Sequence, residues 1–187
     1  KGLRAILRQD PDVVMVGEIR DLETAQIAIQ ASLTGHLVLS TLHTNSAVGA
    51  ITRLDDMGVE PFLLASSLSG VLAQRLVRLL CPHCKKAQLA HGRECELLNV
   101  STDNPPMIYH PQGCAECRFN GYLGRTGVYE MIVIDETLRT MIHDGAPEQQ
   151  MRKYARTQFS SLRQDGCRRV LAGETALEEV LRVTSEN

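Results

Sequence analysis

The first indication of the fold is residues 10–21, which read DPDVVMVGEIRD. Within this stretch Val13–Val16 is a continuous apolar run, and it predicts a strand buried on both faces because such runs are typical of parallel sheets. Asp21 predicts a helix N-cap, since its carboxylate can accept hydrogen bonds from the first helical turn. The helix predicted over 22–33 has apolar residues at helical spacing and is followed by Gly35, a position typical of helix ends.

The segments on either side continue this alternation of helix and strand. Leu3, Ile6 and Leu7 lie at helical spacing before it. After it, the sequence predicts a strand over 37–42, a helix over 46–56 that ends before Gly58, and a helix from Pro61 to at least Ser69. Strands separated by helices of this length predict an α/β fold with a parallel sheet covered by flanking helices.

The composition changes at Cys81. Residues 82–111 hold four of the seven prolines and few apolar side chains, so this insertion cannot build a core by itself. A strand-like run returns over 126–134, and the remaining segments predict helices over 136–142, 147–154, 162–171 and 176–183. Thr175 and Glu178 have the spacing of a capping box before the last helix.

We therefore predict three segments. Residues 1–80 form the sheet core, residues 81–117 form a cysteine-bearing insertion, and residues 118–187 form a return strand and a carboxyl-terminal helical subdomain. Because the insertion is predicted to be a satellite of the sheet, we expect the loss of one of its cysteines to unfold mainly residues 81–117.

The composition excludes several classes of protein. Of the 187 residues, 43% are hydrophobic and 22% are charged, which is globular rather than disordered. The 20 basic and 22 acidic side chains are evenly spread and give a net charge of −2, which argues against a nucleic-acid-binding surface. No apolar stretch approaches the roughly 18 residues of a membrane span, and we expect no secretory signal, because the sequence does not open with a basic segment followed by an apolar one. The chain begins with Lys1 in a helix-like segment, so we expect a fragment of a longer protein.

Four cysteines form two CxxC pairs separated by 29 residues: Cys81, Cys84, Cys114 and Cys117. Two such turns supply four thiolates for a tetrahedral zinc ion, and a structural zinc can order an insertion that lacks its own core. Disulfides or a thioredoxin-like redox pair are the alternatives, but the first calls for an oxidising compartment and the second for a CxxC that opens a helix. Cys95 and Cys167 are expected to be ordinary thiols, and His83 is a candidate substitute ligand.

Charged and polar side chains also follow the two predicted strands. Glu18 comes directly after the first strand, His36 begins the second strand and His43 ends it. The carboxyl ends of parallel strands meet at one edge of a sheet, where ligands bind, so Glu18 and His43 are expected to lie side by side. A carboxylate there can polarise a water molecule or hold magnesium. A solvated strand-end acid and a satisfied core histidine are the alternatives.

Several motifs of the chain occur together, in order, in one known family. They are DPDxxMVGEIRD over 10–21, TGHxxxSTLHT over 34–44, AQRLVR over 73–78, the two CxxC pairs, and GYxGRTGxYE over 121–130. Together they resemble the ATPases of type II secretion systems and their type IV pilus assembly relatives. The resemblance covers essentially the whole chain, and the cysteine pairs favour the secretion and assembly branch over the retraction motors.

The resemblance implies a RecA-like fold and assigns roles to individual residues. Glu18 would be the Walker B glutamate that acts on the attacking water, and His36 and His43 would be the histidine-box pair. Arg20 and Arg53 match arginines that the family uses near the nucleotide or between subunits. Arg125 lies in a glycine-rich strand approach that would face a neighbouring subunit or the nucleotide.

The resemblance also implies an assembly. Members look like homo-hexameric rings on the cytoplasmic side of the inner membrane, peripheral to it through secretion platform proteins. ATP hydrolysis with Mg²⁺ would drive pseudopilus assembly and protein export.

This chain departs from the family pattern because it contains no GxxxxGK[ST] phosphate-binding loop; its only lysines are Lys1, Lys85, Lys86 and Lys153. We therefore expect the 187 residues alone to be inactive, with ATP and Mg²⁺ bound only by a longer protein. Three alternatives are a fragment of a type IV pilus assembly ATPase, a zinc-stabilised interaction module without catalysis and a zinc-ribbon nucleic-acid binder. The even charge and the scarcity of aromatic residues argue against the third.

Overall fold

The computed structural model describes Leu7 and residues 9–185. They form two compact units: unit 1 comprises the described parts of residues 1–72 and 131–159, and unit 2 comprises those of 73–130 and 160–187. Each unit is thus assembled from stretches distant in sequence. The predicted boundaries at residues 80 and 117 stay a prediction. The predicted helical residues Leu3 and Ile6 lie outside the described residues.

The secondary-structure elements follow the chain in the order β1 Val13–Val16, α1 Leu22–Leu33, β2 Leu37–Ser40, α2 Ala47–Asp56, α3 Pro61–Ser67, β3 Gly70–Leu80, β4 Lys86–Leu89, α4 Gly92–Leu98, β5 Met107–His110, β6 Tyr122–Val133, α5 Glu136–His143, α6 Glu148–Gln158, α7 Leu162–Leu171 and α8 Leu177–Thr184. A short 3₁₀ turn covers Ala115–Cys117. The mixture of helices and strands confirms the predicted α/β class.

The start of α1 was correctly predicted from its capping residue Asp21, and a capping bond also begins α2. The Asp21 carboxylate accepts from the backbone N–H of Thr24 at 2.8 Å, and this bond lowers the pKa of Asp21. The Ser46 hydroxyl accepts from the backbone N–H of Gly49 at 3.0 Å and caps α2 in the same way. Gly35, just past α1, has φ +103°, a conformation that favours glycine.

Strands β1 and β2 pair in parallel, as predicted, with Val13 opposite Leu37 and Met15 opposite Leu39. The prediction that the sheet is buried on both faces was wrong for the described residues. Val14 is buried, but Val13, Met15, Leu37 and Leu39 are about half exposed or more. Alternate residues of a strand point to opposite faces, so these four side chains share one face of the pair. Only two strands form this sheet in the described part of the chain, and the exposure of the four side chains shows that no described element covers that face.

Unit 2 has a core to which the insertion and the carboxyl-terminal helices both contribute. Strands β4 and β5 form an antiparallel hairpin, and β3 is a neighbour of β6. The buried cluster draws on β3, α4, β5, β6, α7 and α8 and consists of Val77, Ala90, Cys95, Leu98, Ile108, Val128, Leu162, Cys167, Val170, Leu177 and Val180. The insertion therefore completes its core with residues far along the chain, as its low apolar content requires.

Several local predictions differ from the structure. Helix α6 ends at Gln158, four residues beyond its predicted end. Helix α3 ends at Ser67 rather than Ser69, because the eleven-residue strand β3 begins at Gly70; the sequence analysis did not predict that strand. Likewise β2 stops at Ser40, and β6 begins at Tyr122, four residues before the predicted start.

The predicted capping box before α8 was wrong. The N-cap of α8 is Ala176, without a side-chain capping bond. The hydroxyl of Thr175 instead donates to the carbonyl oxygen of Arg78 at 2.8 Å, and the Glu178 carboxylate lies 3.6 Å from Nδ1 of His110. Contacts with residues distant in sequence therefore replace the local capping bonds.

A buried ion cluster ties α8 to β3. Glu179 is 2% exposed, and its carboxylate accepts hydrogen bonds from the backbone N–H and guanidinium of Arg78 and from the guanidinium of Arg182, at 2.7–3.1 Å. The Arg78 guanidinium also lies 4.0 Å from the centroid of the Tyr122 ring. Burial alone would raise the pKa of Glu179, but the two arginines outweigh it and lower the pKa to about 2.

Substitution of Glu179 by Gln should destabilise unit 2 by about 2 kcal/mol at pH 7, since a hydrogen bond to a charged group contributes about 1.5–3 kcal/mol and the freed arginines regain water. The lowered pKa lies below the ordinary value of 4.5, so the stabilisation is present above about pH 4.5 and is lost as the pH falls towards 2. Hydrogen exchange of the α8 amides at pH 7 and pH 3 measures both effects.

The neighbouring variant Glu178→Gln is the control, because the Glu178 side chain is 65% exposed. It should change the stability by less than about 1 kcal/mol. Equal destabilisation by Glu179→Gln at both pH values would contradict the assigned role of its charge.

Candidate functional site

The segments that follow β1 and β2 are bonded to each other. The backbone N–H of Ile19 donates to the carbonyl oxygen of Thr41 at 3.0 Å, and the Thr41 hydroxyl donates to the carbonyl oxygen of Gly17 at 2.6 Å. These bonds hold the chain between Gly17 and Ile19 beside the chain that leaves β2. The carboxyl edge of the two strands is thereby fixed, and Glu18 lies on it.

Both carboxylate oxygens of Glu18 have partners. Oε2 lies 3.0 Å from Nε2 of His43, and Oε1 pairs with Nε of Arg20. Glu18 and His43 therefore lie side by side, as predicted. The Glu18 side chain is 25% exposed, whereas those of His43 and Arg20 are 88% and 76% exposed.

These three side chains combine a sheltered acid with two exposed nitrogen-bearing partners. Exposed ion pairs contribute only about 0–1 kcal/mol, so a ligand can displace Arg20 or His43 from Glu18 with little loss of stability. The arrangement suits a carboxylate that is held in place at rest and exchanges its partners when a substrate or water molecule arrives.

Three other predicted site residues are not brought to Glu18 by any described contact. Nδ1 of His36 lies 3.0 Å from the carbonyl oxygen of Ala31, at the end of α1, and its buried Nε2 has no hydrogen-bond partner among the described residues. Arg53 on α2 and Arg125 on β6 are exposed, and in the described part of the chain neither side chain makes an ion pair. The roles of these three residues stay predictions.

The four predicted metal ligands do come together. Their Sγ atoms lie within 4.8 Å of one another, and the Sγ–Sγ distances are 3.9 Å for Cys81–Cys114, 3.8 Å for Cys84–Cys117 and 3.9 Å for Cys114–Cys117. Zinc–thiolate bonds of about 2.3 Å in a tetrahedron place the sulfur atoms about 3.8 Å apart. All four are free cysteines. The donor set and its spacing therefore fit a four-thiolate metal ion.

Backbone N–H groups donate hydrogen bonds to two of these sulfur atoms, and such bonds favour the negatively charged thiolate. N–H groups of Gly113 and Gly121 donate to the sulfurs of Cys84 and Cys117, each at 3.2 Å, and that of Cys114 also donates to Cys117. Burial opposes ionisation of Cys117, but the amides of Cys114 and Gly121 lower its pKa to about 6. At Cys84 burial outweighs the single amide of Gly113 and raises the pKa to about 11. A thiolate is the metal-binding form, and it is supported by two amide donors at Cys117 and by one at Cys84.

Gly121 is a site residue that the sequence analysis quoted in a motif without assigning it this role. Its carbonyl oxygen accepts from the backbone N–H of Cys81 at 2.9 Å, so it touches both cysteine pairs. It has φ +78°, and a Cβ there would lie 2.4 Å from Cβ of Pro111. Only glycine fits this position. A glycine four residues after a CxxC pair is the signal that was available.

The remaining sulfur and imidazole groups nearby are not part of the cluster. Cys95 and Cys167 are buried and lie near backbone carbonyl oxygens, as expected for ordinary thiols. His83, the candidate substitute ligand, is exposed and does not belong to the metal-binding group.

None of the helices in the described ranges is long and apolar enough to cross a membrane.

A family model described as type II/IV secretion system protein matches residues 1–182. The type II secretion system protein E of Pseudomonas aeruginosa is 65% identical over 186 residues, and the type II secretion system ATPase E of Vibrio cholerae is 60% identical over 187 residues. Both matches cover 100% of this chain and 37% of the relative, so the chain spans little more than a third of the length of these proteins.

Solved structures give the same picture. The pilus retraction motor PilT, solved with bound ADP, superposes with a TM-score of 0.68 at 27% identity, covering 99% of this chain and 43% of that one. The ATPase DotB of Legionella pneumophila superposes with a TM-score of 0.67 at 21% identity, covering 97% and 41%. The second likeness concerns the fold alone.

Proposed function

The chain belongs to the type II/IV secretion system protein family, and we propose that it is the carboxyl-terminal part of a secretion-motor ATPase. The single observation that carries the proposal is the Glu18 carboxylate, held by His43 and Arg20 at the carboxyl edge of two parallel strands. That edge is where α/β proteins bind nucleotides. The relatives named as type II secretion ATPases and the ADP-bound pilus motor support the assignment.

In this proposal each residue has a distinct task. Glu18 is the Walker B glutamate, which orients the attacking water and accepts its proton. His43 and Arg20 hold that carboxylate until the substrate arrives, and His36 belongs to the same histidine box. Bound ATP and Mg²⁺ supply the phosphoanhydride bond and the charge that stabilises its cleavage. Arg53 and Arg125 contact the nucleotide or a neighbouring subunit, which suits their exposure.

We further propose that the whole protein is a homo-hexamer that drives pseudopilus assembly and protein export. It would work in the cytoplasm, attached to the inner membrane through secretion platform proteins. The exposed apolar face of β1 and β2 supports a longer protein, because Met15 is 73% exposed and such strands are normally covered. In the four-thiolate cluster the proposed ion is a structural zinc, which would order unit 2 and take no part in hydrolysis.

The proposal is tested by magnesium-dependent phosphate release from ATP. The 187 residues should show no turnover above a Glu18→Gln control, because they contain no GxxxxGK[ST] loop to hold the phosphates. The full-length protein from the same gene should show turnover that depends on Glu18. A full-length protein that binds zinc and never hydrolyses ATP would support the alternative, a zinc-stabilised interaction module.

A further inference from the structure

The end of β3, which leads into the first cysteine pair, is bonded to the turn between α7 and α8. The backbone N–H of Leu80 donates to the carbonyl oxygen of Glu174 at 2.8 Å. Two residues earlier, the carbonyl oxygen of Arg78 accepts from the Thr175 hydroxyl at 2.8 Å. The residue next to the first cysteine ligand is therefore already in contact with this turn.

Lys85, directly after the second cysteine ligand, makes another contact with the same turn. Its ammonium nitrogen donates to the carbonyl oxygen of Gly173 at 2.7 Å and lies 4.5 Å from the centroid of the Tyr109 ring. Its own backbone N–H donates to the carbonyl oxygen of Cys81 at 3.0 Å. The first CxxC turn thus fixes the backbone from which the Lys85 side chain reaches α7–α8.

The turn is packed too closely on β5 to shift freely. Gly173 has φ +71°, and a Cβ there would lie 2.8 Å from the ring atoms of Tyr109. The Tyr109 ring therefore supports both the Lys85 ammonium and the backbone of Gly173. A lysine whose charge is shared between a carbonyl oxygen and an aromatic face is held more firmly than a surface lysine.

We propose that the metal site and Lys85 together form a latch for the α7–α8 helix pair. Metal binding fixes the Cys81–Cys84 turn, that turn orients Lys85, and Lys85 holds the carbonyl oxygen of Gly173. The order of residues 160–184 therefore depends on metal occupancy, in contrast to the expectation that loss of the metal site unfolds mainly residues 81–117. By thermodynamic linkage, loosening the helix pair weakens metal binding by the same factor. The proposal rests on the metal assignment and is independent of ATP hydrolysis.

Hydrogen exchange of the zinc-loaded chain, before and after removal of zinc with a chelator, tests the latch. Chelation should speed exchange about tenfold or more in peptides from α7 and α8 as well as in peptides from 81–117, since a lost charged hydrogen bond changes a local opening equilibrium by that order. Peptides of α1 to α3 in unit 1 should change little and serve as the internal control.

Two lysine variants separate the latch from general destabilisation. Lys85→Met removes the ammonium group and keeps the aliphatic stem, whereas Lys86→Met makes the same change at an exposed neighbour on β4. At saturating zinc, Lys85→Met should exchange about tenfold faster than Lys86→Met in the peptides of α7 and α8, and chelation should add less to this rate than in the wild type. Competition with the chelator should show weaker zinc binding for Lys85→Met only.

Other results would overturn the proposal. The latch is wrong if chelation speeds exchange only within 81–117, or if the Lys85 and Lys86 variants behave alike. An equal rise in α1 to α3 would also refute it, because the metal would then hold the whole chain rather than this helix pair. The zinc content is measured in the same samples. If the wild-type chain binds no zinc, the metal assignment itself is wrong.

Discussion

Replacing Cys114 by Ser is expected to abolish stoichiometric zinc binding and to destabilise unit 2 by several kcal/mol. Cys114 provides one of four sulfur atoms, and its Sγ lies 3.9 Å from those of both Cys81 and Cys117. A serine hydroxyl is a poor ligand for zinc at neutral pH because it stays protonated. If free zinc exceeds its dissociation constant a thousandfold, the lost linkage energy is about 4 kcal/mol.

The measurement is zinc content per chain together with the thermal unfolding of unit 2. Cys95→Ala is the matched control, because Cys95 is buried in the same unit but outside the cluster. It should lower stability through its lost packing and still bind one equivalent of zinc. A Cys114→Ser protein that keeps one equivalent of zinc and melts like the wild type would refute the four-thiolate site.

Local signals in the sequence predicted the parts of the fold that local bonds create. Asp21 caps α1 through an N–H group three residues away, so this helix start was predicted from the sequence, and Ser46 makes the same kind of bond at the start of α2. The parallel pairing of β1 and β2 follows from the helix between them. The strand β3 was missed because its stability comes from β6, about fifty residues later, and its sequence mixes arginines with leucines.

In the candidate site, too, some contacts could be predicted from the sequence and others depend on distant parts of the chain. Glu18 and His43 were predicted to meet because the ends of neighbouring parallel strands share an edge, and the CxxC spacing identified the four thiols directly. The amide of Gly121 and the bond from Lys85 to Gly173 could not be predicted, because they depend on how distant loops fold onto one another. The exposure of the apolar face of β1 and β2 could not be predicted either, because it depends on which other elements pack against that face.

In the full-length protein, Glu18→Gln is expected to lower the ATP turnover number about 10²- to 10⁴-fold, the usual contribution of a positioned general base. The substitution keeps the size and the hydrogen-bonding shape of the side chain but removes its negative charge and its ability to accept a proton. Nucleotide affinity should change little, since the phosphates are held by a loop that these 187 residues do not contain. The experiment therefore separates kcat from the binding of ATP.

Variants of the partner residue His43 and of the exposed acid Glu60 test whether the effect is specific to Glu18. His43→Gln should lower turnover less than Glu18→Gln, because Nε2 of His43 contacts the carboxylate and holds it in place without replacing its chemistry. Glu60→Gln, an exposed acid before α3, should leave turnover unchanged. If Glu18→Gln retained wild-type turnover while the Mg²⁺ dependence persisted, the base would have to be another carboxylate. Glu18 would then be reduced to a salt-bridge partner of Arg20 at the edge of the sheet.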